Sequence, residues 1–140
     1  MKSNFLPIYA NAAKLRASGN AYIVESLEKA GLKGIVPSHG DVLRHLFNKG
    51  PCNMGELARS VKRTKSTMTV LIDKLEKEGY VQKSPDPVDS RGVLVELTEK
   101  GTALEPVFEQ ISQGLFEKLT SMLTNQELET LNRLLQKCVE

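Results

Sequence analysis

Residues Asn53–Glu78 read NMGELARSVKRTKSTMTVLIDKLEKE, and the pattern in this stretch decides the fold. Asn53 stands three residues before Glu56, a capping side chain followed by an acid suited to a helix's first turn. Leu57 and Ala58 supply the inward face of a short helix ending near Ser60. Val61-Lys62-Arg63 makes a tight connection, and Thr64 can cap a second helix running to about Glu78. On that helix Met68, Leu71, Ile72 and Leu75 recur at the spacing of one buried stripe. Gly79 then suits a left-handed helix stop. Two helices joined this way form a helix-turn-helix.

Upstream, Ser38 followed by Asp41 predicts another helix start, with Ser38 as the cap and Asp41 as the capping acid. Val42, Leu43, Leu46 and Phe47 continue that helix until Gly50-Pro51 stops it. Downstream the apolar period changes to two: Tyr80–Lys83 and Val93–Leu97 read as strands. Between them, Ser84–Gly92 is rich in turn formers, and its prolines keep it out of a sheet interior.

Both ends of the chain read as helical. From Asn4 to about Leu32, Ile8, Ala12, Leu15, Tyr22, Ile23 and Leu27 form an amphipathic pattern. After Thr98, one long stripe runs through Leu104, Val107, Phe108, Ile111, Leu115, Leu119 and Met122, and Pro106 should kink it near its start. Thr124 with Glu127 caps a last helix carrying Leu128, Leu131, Leu134, Leu135 and Cys138. The fold expected is mainly α with a small β-hairpin wing: a winged helix-turn-helix over 34–97 between dimerisation helices at 1–33 and 98–140. One chain has little else to cover the terminal stripes, so a homodimer is expected.

Composition narrows the function. Of 140 residues, 40% are hydrophobic and 26% charged, which suits a globular chain and argues against disorder. No apolar run approaches a spanning helix, and the N-terminus lacks a signal peptide's apolar core. Two cysteines, Cys52 and Cys138, are too few for a disulfide framework, so a cytoplasmic protein with reduced thiols is expected. Net charge is only +2, but its distribution is uneven. Arg59 to Lys83 holds seven basic residues against three acids, a local +4 that leaves −2 on the remainder. A cationic segment on a near-neutral body is the footprint of a phosphate-backbone partner.

With Met68, Leu71, Ile72 and Leu75 inward, the opposite face of the second helix carries Arg63, Ser66, Val70, Asp73 and Lys77. Thr67, Thr69 and Lys74 flank it. Serine and threonine are poor choices for helix propensity, yet four stand within Thr64–Thr69. Small hydroxyl side chains let a helix sit deep in a DNA major groove, with lysines meeting phosphates at its edges.

Several stretches resemble the MarR family of winged-helix regulators: Met54-Gly55-Glu56-Leu57-Ala58, Lys65-Ser66-Thr67-Met68-Thr69 and Leu71–Val81. Pro85-Asp86-Pro87-Val88-Asp89-Ser90-Arg91 and Val93–Gly101 continue the resemblance, which is densest from about Pro51 to Thr102. It implies a homodimeric transcriptional regulator, a repressor, whose terminal helices intertwine on an inverted-repeat operator in double-stranded DNA. Arg63, Thr64, Lys65, Ser66, Thr67, Thr69, Val70 and Lys74 would belong to the recognition helix in the major groove. Asp89, Ser90 and Arg91 would form the wing, with Arg91 in the minor groove and Asp89 orienting its guanidinium. The resemblance also implies release by a small-molecule effector bound where the dimer helices meet the winged lobe. Val70 departs from the pattern, because many relatives carry an arginine there; a thymine methyl contact would replace direct readout.

An enzyme fits the residues poorly. His39 and His45 point about 240° apart on a helix of 100° per residue, and no third ligand accompanies them. No phosphate loop or nucleophile motif occurs, so neither cofactor nor metal is expected. A helical adaptor for protein partners would need neither the cationic Ser/Thr helix nor Arg91. Redox sensing calls for an exposed, electropositive thiol. Cys52 lies at a helix boundary, Cys138 is expected to pack on the terminal stripe, and neither has an adjacent cationic residue apart from Lys137.

Overall fold

The computed structural model describes residues 7–32 and 34–140. The elements in order are α1 (Ile8–Lys29), α2 (Pro37–Lys49), β1 (Cys52–Asn53), α3 (Met54–Ser60), α4 (Lys65–Lys77), β2 (Val81–Pro85), β3 (Val93–Leu97), α5 (Glu99–Thr102), α6 (Glu105–Thr120) and α7 (Asn125–Val139). Asn4, expected to begin the first helix, lies outside the described residues. Two compact units result, one ending at Phe108 and the other comprising Glu109–Glu140.

The first unit is built around α2, α3, α4 and the sheet. Leu43, Leu46, Leu57, Met68, Ile72, Leu75, Val81 and Val95 are all fully buried, joined by Leu27 from the end of α1. The stripe expected on α4 is thus its core face. Helix α4 ends as its sequence suggests. Gly79 adopts a φ of 83°, the Tyr80 N–H bonds to the Leu75 carbonyl at 2.9 Å, and Tyr80 is buried beside it.

The sheet has three antiparallel strands in the order β1-β3-β2. The hairpin register pairs Val81 with Leu97, Lys83 with Val95 and Pro85 with Val93. Pro85 is tolerated because β2 is an edge strand. Strand β1 was not anticipated: Cys52 pairs with Val95 and Asn53 with Leu94, in a stretch too short for any period to register.

Two sequence expectations need correction. Helix α2 begins before Ser38, with Val36 as its N-cap and Pro37 in the first helical position, where φ is already set and no donor is lost. Nδ1 of His39 accepts the Val36 N–H at 3.0 Å, the role expected of an acid, while Asp41 instead pairs with Arg44 at 3.8 Å. The second correction concerns Pro106. The helix after Thr98 is not one kinked rod but two: α5 stops at Thr102, and Pro106 lies in the first turn of α6. Gly101 holds α5 against the hairpin, since any Cβ there would strike the Tyr80 carbonyl.

In the second unit α7 starts with the expected box: Thr124 Oγ1 accepts from Glu127 N at 3.1 Å and Glu127 Oε1 accepts from Thr124 N at 3.0 Å. No residue of α7 is buried within one chain, and Leu134, Leu135 and Val139 are exposed. Cys138, expected to pack, is exposed as well. On α1, Ile8, Tyr9 and Leu15 are likewise exposed.

Candidate nucleic-acid interface

Helices α3 and α4 are joined by Val61–Thr64, in which Lys62 takes a left-handed φ of 54°. Asn53 caps α3 through Oδ1, which accepts the Glu56 N–H at 2.8 Å. Thr64 caps α4 the same way, accepting the Thr67 N–H at 3.1 Å. Its hydroxyl also donates to Thr67 Oγ1 at 3.0 Å, and Thr69 Oγ1 donates to the Lys65 carbonyl at 2.9 Å. These threonines therefore also serve the start of the helix itself. Ser66, Thr67 and Thr69 nonetheless remain exposed, and Val70 stands out with 68% of its surface accessible.

The charged residues of this segment divide. Lys65 is exposed at the start of α4. Arg63 turns back, its guanidinium donating to the carbonyls of Val61 and Lys62 at 3.3 Å each. Lys74 is half-buried, pairs with Glu78 at 3.1 Å, and lies where a Cβ on Gly34 would meet its Nζ at 3.3 Å. It also helps burial to hold His39 below the usual histidine range.

The wing is a built turn. The Asp86 N–H donates to the Gly92 carbonyl at 3.1 Å, and the Gly92 N–H to the Asp89 carbonyl at 2.8 Å. Asp86 is buried, and its carboxylate accepts the Val88 N–H at 2.9 Å. Asp89 Oδ1 accepts the backbone N–H of Arg91 at 3.0 Å. Asp89 thus shapes the backbone at Arg91. Ser90 and Arg91 project into solvent.

Between the wing and the helix pair lies a cavity of about 660 Å³, lined among others by Arg59, Lys65, Thr69, Lys83, Asp89 and Arg91. It brings the front of α4 and the wing, distant in sequence, onto one cationic surface. Arg59, Lys83 and Asp86 were missed as site residues. The first two lay inside the basic window, but charge count alone does not say which members converge. Cys52 is buried, and burial with the nearby Glu56 carboxylate pushes its thiol up to about 11. That setting is the opposite of a sensing thiolate's. Among the described residues, no three His, Cys, Asp or Glu side chains are grouped to hold a metal, and no helix is long and apolar enough to cross a membrane.

A helix-turn-helix whose second helix shares a basic groove with a β-hairpin defines a winged-helix protein. The family model for the MarR family matches residues 35–93. The Multiple antibiotic resistance protein MarR of Escherichia coli is 39% identical over 83 residues, 59% of this chain and 58% of that protein, so the match spans little more than half of that relative. A MarR transcriptional regulator from Methanosarcina mazei superposes with a TM-score of 0.80 at 33% identity, covering 91% of this chain and 90% of the other. A cysteine-to-serine variant of Escherichia coli MarR, solved with operator DNA, superposes with a TM-score of 0.83 at 28% identity, over 96% and 95% of the two chains. The chain belongs to the MarR family. Relatives of the chain are named as transcriptional regulators, a family that is not enzymatic.

Proposed function

We propose that this chain is a DNA-binding transcriptional regulator acting in the cytoplasm as a homodimeric repressor on an inverted-repeat operator, released by a small ligand. The observation that carries the reading is the shared surface of α4 and the wing, where Lys65, Thr69, Lys83 and Arg91 line one groove. The operator complex of the Escherichia coli relative supports it, because that protein binds DNA with the same fold. In this reading Lys65, Ser66, Thr67, Thr69 and Val70 face the major groove, with Thr64 presenting the helix N-terminus to a phosphate. Arg63 and Lys74, engaged within the protein, act at the edge of the contact. Asp89, Ser90 and Arg91 form the minor-groove contact, and the terminal helices cover one another between two copies.

Selection from a random duplex pool, followed by anisotropy titrations across a salt series, tests the reading. Enriched sequences should be inverted repeats with half-site centres about one helical turn, ~10 bp, apart. Affinity should fall steeply with salt as counterions are displaced. No enrichment, or binding indifferent to salt, overturns the reading.

A further inference from the structure

We propose that Lys83 is a positioning residue, a strut between the wing and the recognition helix that fixes the spacing between major-groove and minor-groove contacts. The inference rests on the DNA-binding reading above and assigns a role to a residue that does not itself have to touch DNA. Its Nζ lies 2.9 Å from Asp73 Oδ1 and 3.3 Å from Glu76 Oε1. Asp73 and Glu76 are three apart on α4, so their carboxylates rise from one helix face. Those two carboxylates hold the Lys83 ammonium's pKa above the ordinary lysine value.

The position of Lys83 on β2 is what makes this pairing informative. Lys83 is registered opposite Val95, and directly opposed residues share a face of the sheet. Val95 and Val81, on that same face, are buried in the core. Lys83 itself is exposed, so burial does not dictate where its head goes. From that exposed position its ammonium reaches the edge of α4. A lysine on an edge strand also discourages pairing with foreign strands. That role is indifferent to where the ammonium goes, whereas here it meets both carboxylates.

The geometry gives the strut leverage. The near end of the hairpin is held by the Thr98 N–H on the Tyr80 carbonyl at 3.1 Å and by the Thr98 hydroxyl on the Gly79 carbonyl. The far end carries Arg91. Lys83 stands between them, in the strand leading to the wing. Exposed ion pairs contribute little to stability, so the expected effect of removing this one is on geometry.

The test uses the full chain and a duplex selected as above. A second duplex carries one extra base pair between each major-groove half-site and its flanking A·T segment. Wild type should bind the lengthened duplex roughly tenfold more weakly, the scale of one misplaced base contact. Lys83→Ala, and separately Asp73→Asn with Glu76→Gln, should each shrink that ratio to about two- to threefold, if one contact of this scale is relaxed. The acid-neutralised variant is decisive because it keeps the Lys83 charge and removes two negative charges near DNA. If Lys83 acts as a phosphate contact, that variant binds both duplexes more tightly with the ratio unchanged, and the proposal falls. Wild-type indifference to the insertion overturns it too. Nuclear relaxation without DNA supplies an independent arm: order parameters at residues 86–92 should drop in both variants while those of α2 hold. Unchanged wing order overturns the strut even if no duplex is bound, an outcome that separately sinks the DNA-binding reading.

Discussion

Arg91 has its backbone tied down and its side chain left free. Asp89 fixes its N–H, the hairpin tip gives it no core to join, and its guanidinium projects beside the groove. On the proposed reading its contribution belongs to the complex and not to the fold. Arg91→Ala should leave the melting temperature nearly unchanged and weaken operator binding by about 1–3 kcal/mol. Arg91→Lys should recover part of that, since a more strongly hydrated ammonium enters a narrow groove less readily. Unaltered affinity for Arg91→Ala at moderate salt would remove the wing from the site. The proposed reading gives Val70 a different kind of contact. As the most exposed apolar side chain of α4, it should meet a thymine methyl. Replacing that thymine by uracil should weaken wild type and hardly affect Val70→Ala; equal losses in both proteins rule the contact out.

Among the elements, α2 starts on a side chain whose charge changes near neutral pH. His39 is buried and must be neutral at Nδ1 to accept the Val36 N–H. Burial, and then the Lys74 ammonium, lower its pKa in the folded protein. The unfolded chain therefore takes up the proton first. Stability from this group is present above about pH 6.5, the unperturbed value, and is lost as pH falls through the lower folded pKa. His39→Gln keeps an acceptor without the titration, so its melting temperature should fall less steeply between pH 7 and 5 than that of wild type. Parallel pH profiles would contradict this account.

The α2 cap also marks a limit of reading elements from sequence. Ser38 and Asp41 form a better-looking capping pair than Val36 and His39. The choice was made by Pro37, whose fixed φ favours the first helical position, and by a histidine tautomer that residue type alone does not reveal. The helix-turn-helix was legible because Asn53, Thr64 and the stripe from Met68 to Leu75 each act locally. The groove was legible only in part. Arg91 and Lys65 were apparent, but the convergence of Lys83 and Asp86 depends on the register of β2 against β3, which no single strand encodes.

For the whole molecule, the exposed apolar residues of α1 and α7 lead to the next expectation. Ile8, Tyr9, Leu134, Leu135 and Val139 are uncovered within one chain, and a second copy is the partner the family resemblance supplies. Removing residues 124–140 should yield insoluble or unfolded protein, or a species that no longer sediments as a dimer. A well-folded monomer that still binds operator tightly would refute the dimer.

Two residues of β1 have a consequence out of proportion to their length. Because Cys52 and Asn53 pair with Val95 and Leu94, the entrance to α3 and the central strand of the wing share one hydrogen-bonded ladder. Neither can open without breaking the other's backbone bonds, so the two should unfold as one cooperative unit. In deuterium exchange, amides of α3 and β3 should then lose protection together as denaturant rises, with a common slope. Separate slopes would mean that the ladder is too weak to couple them. A molecule built this way melts its reading head as a single piece, so a partly opened wing on an intact helix pair should be a rare species in solution.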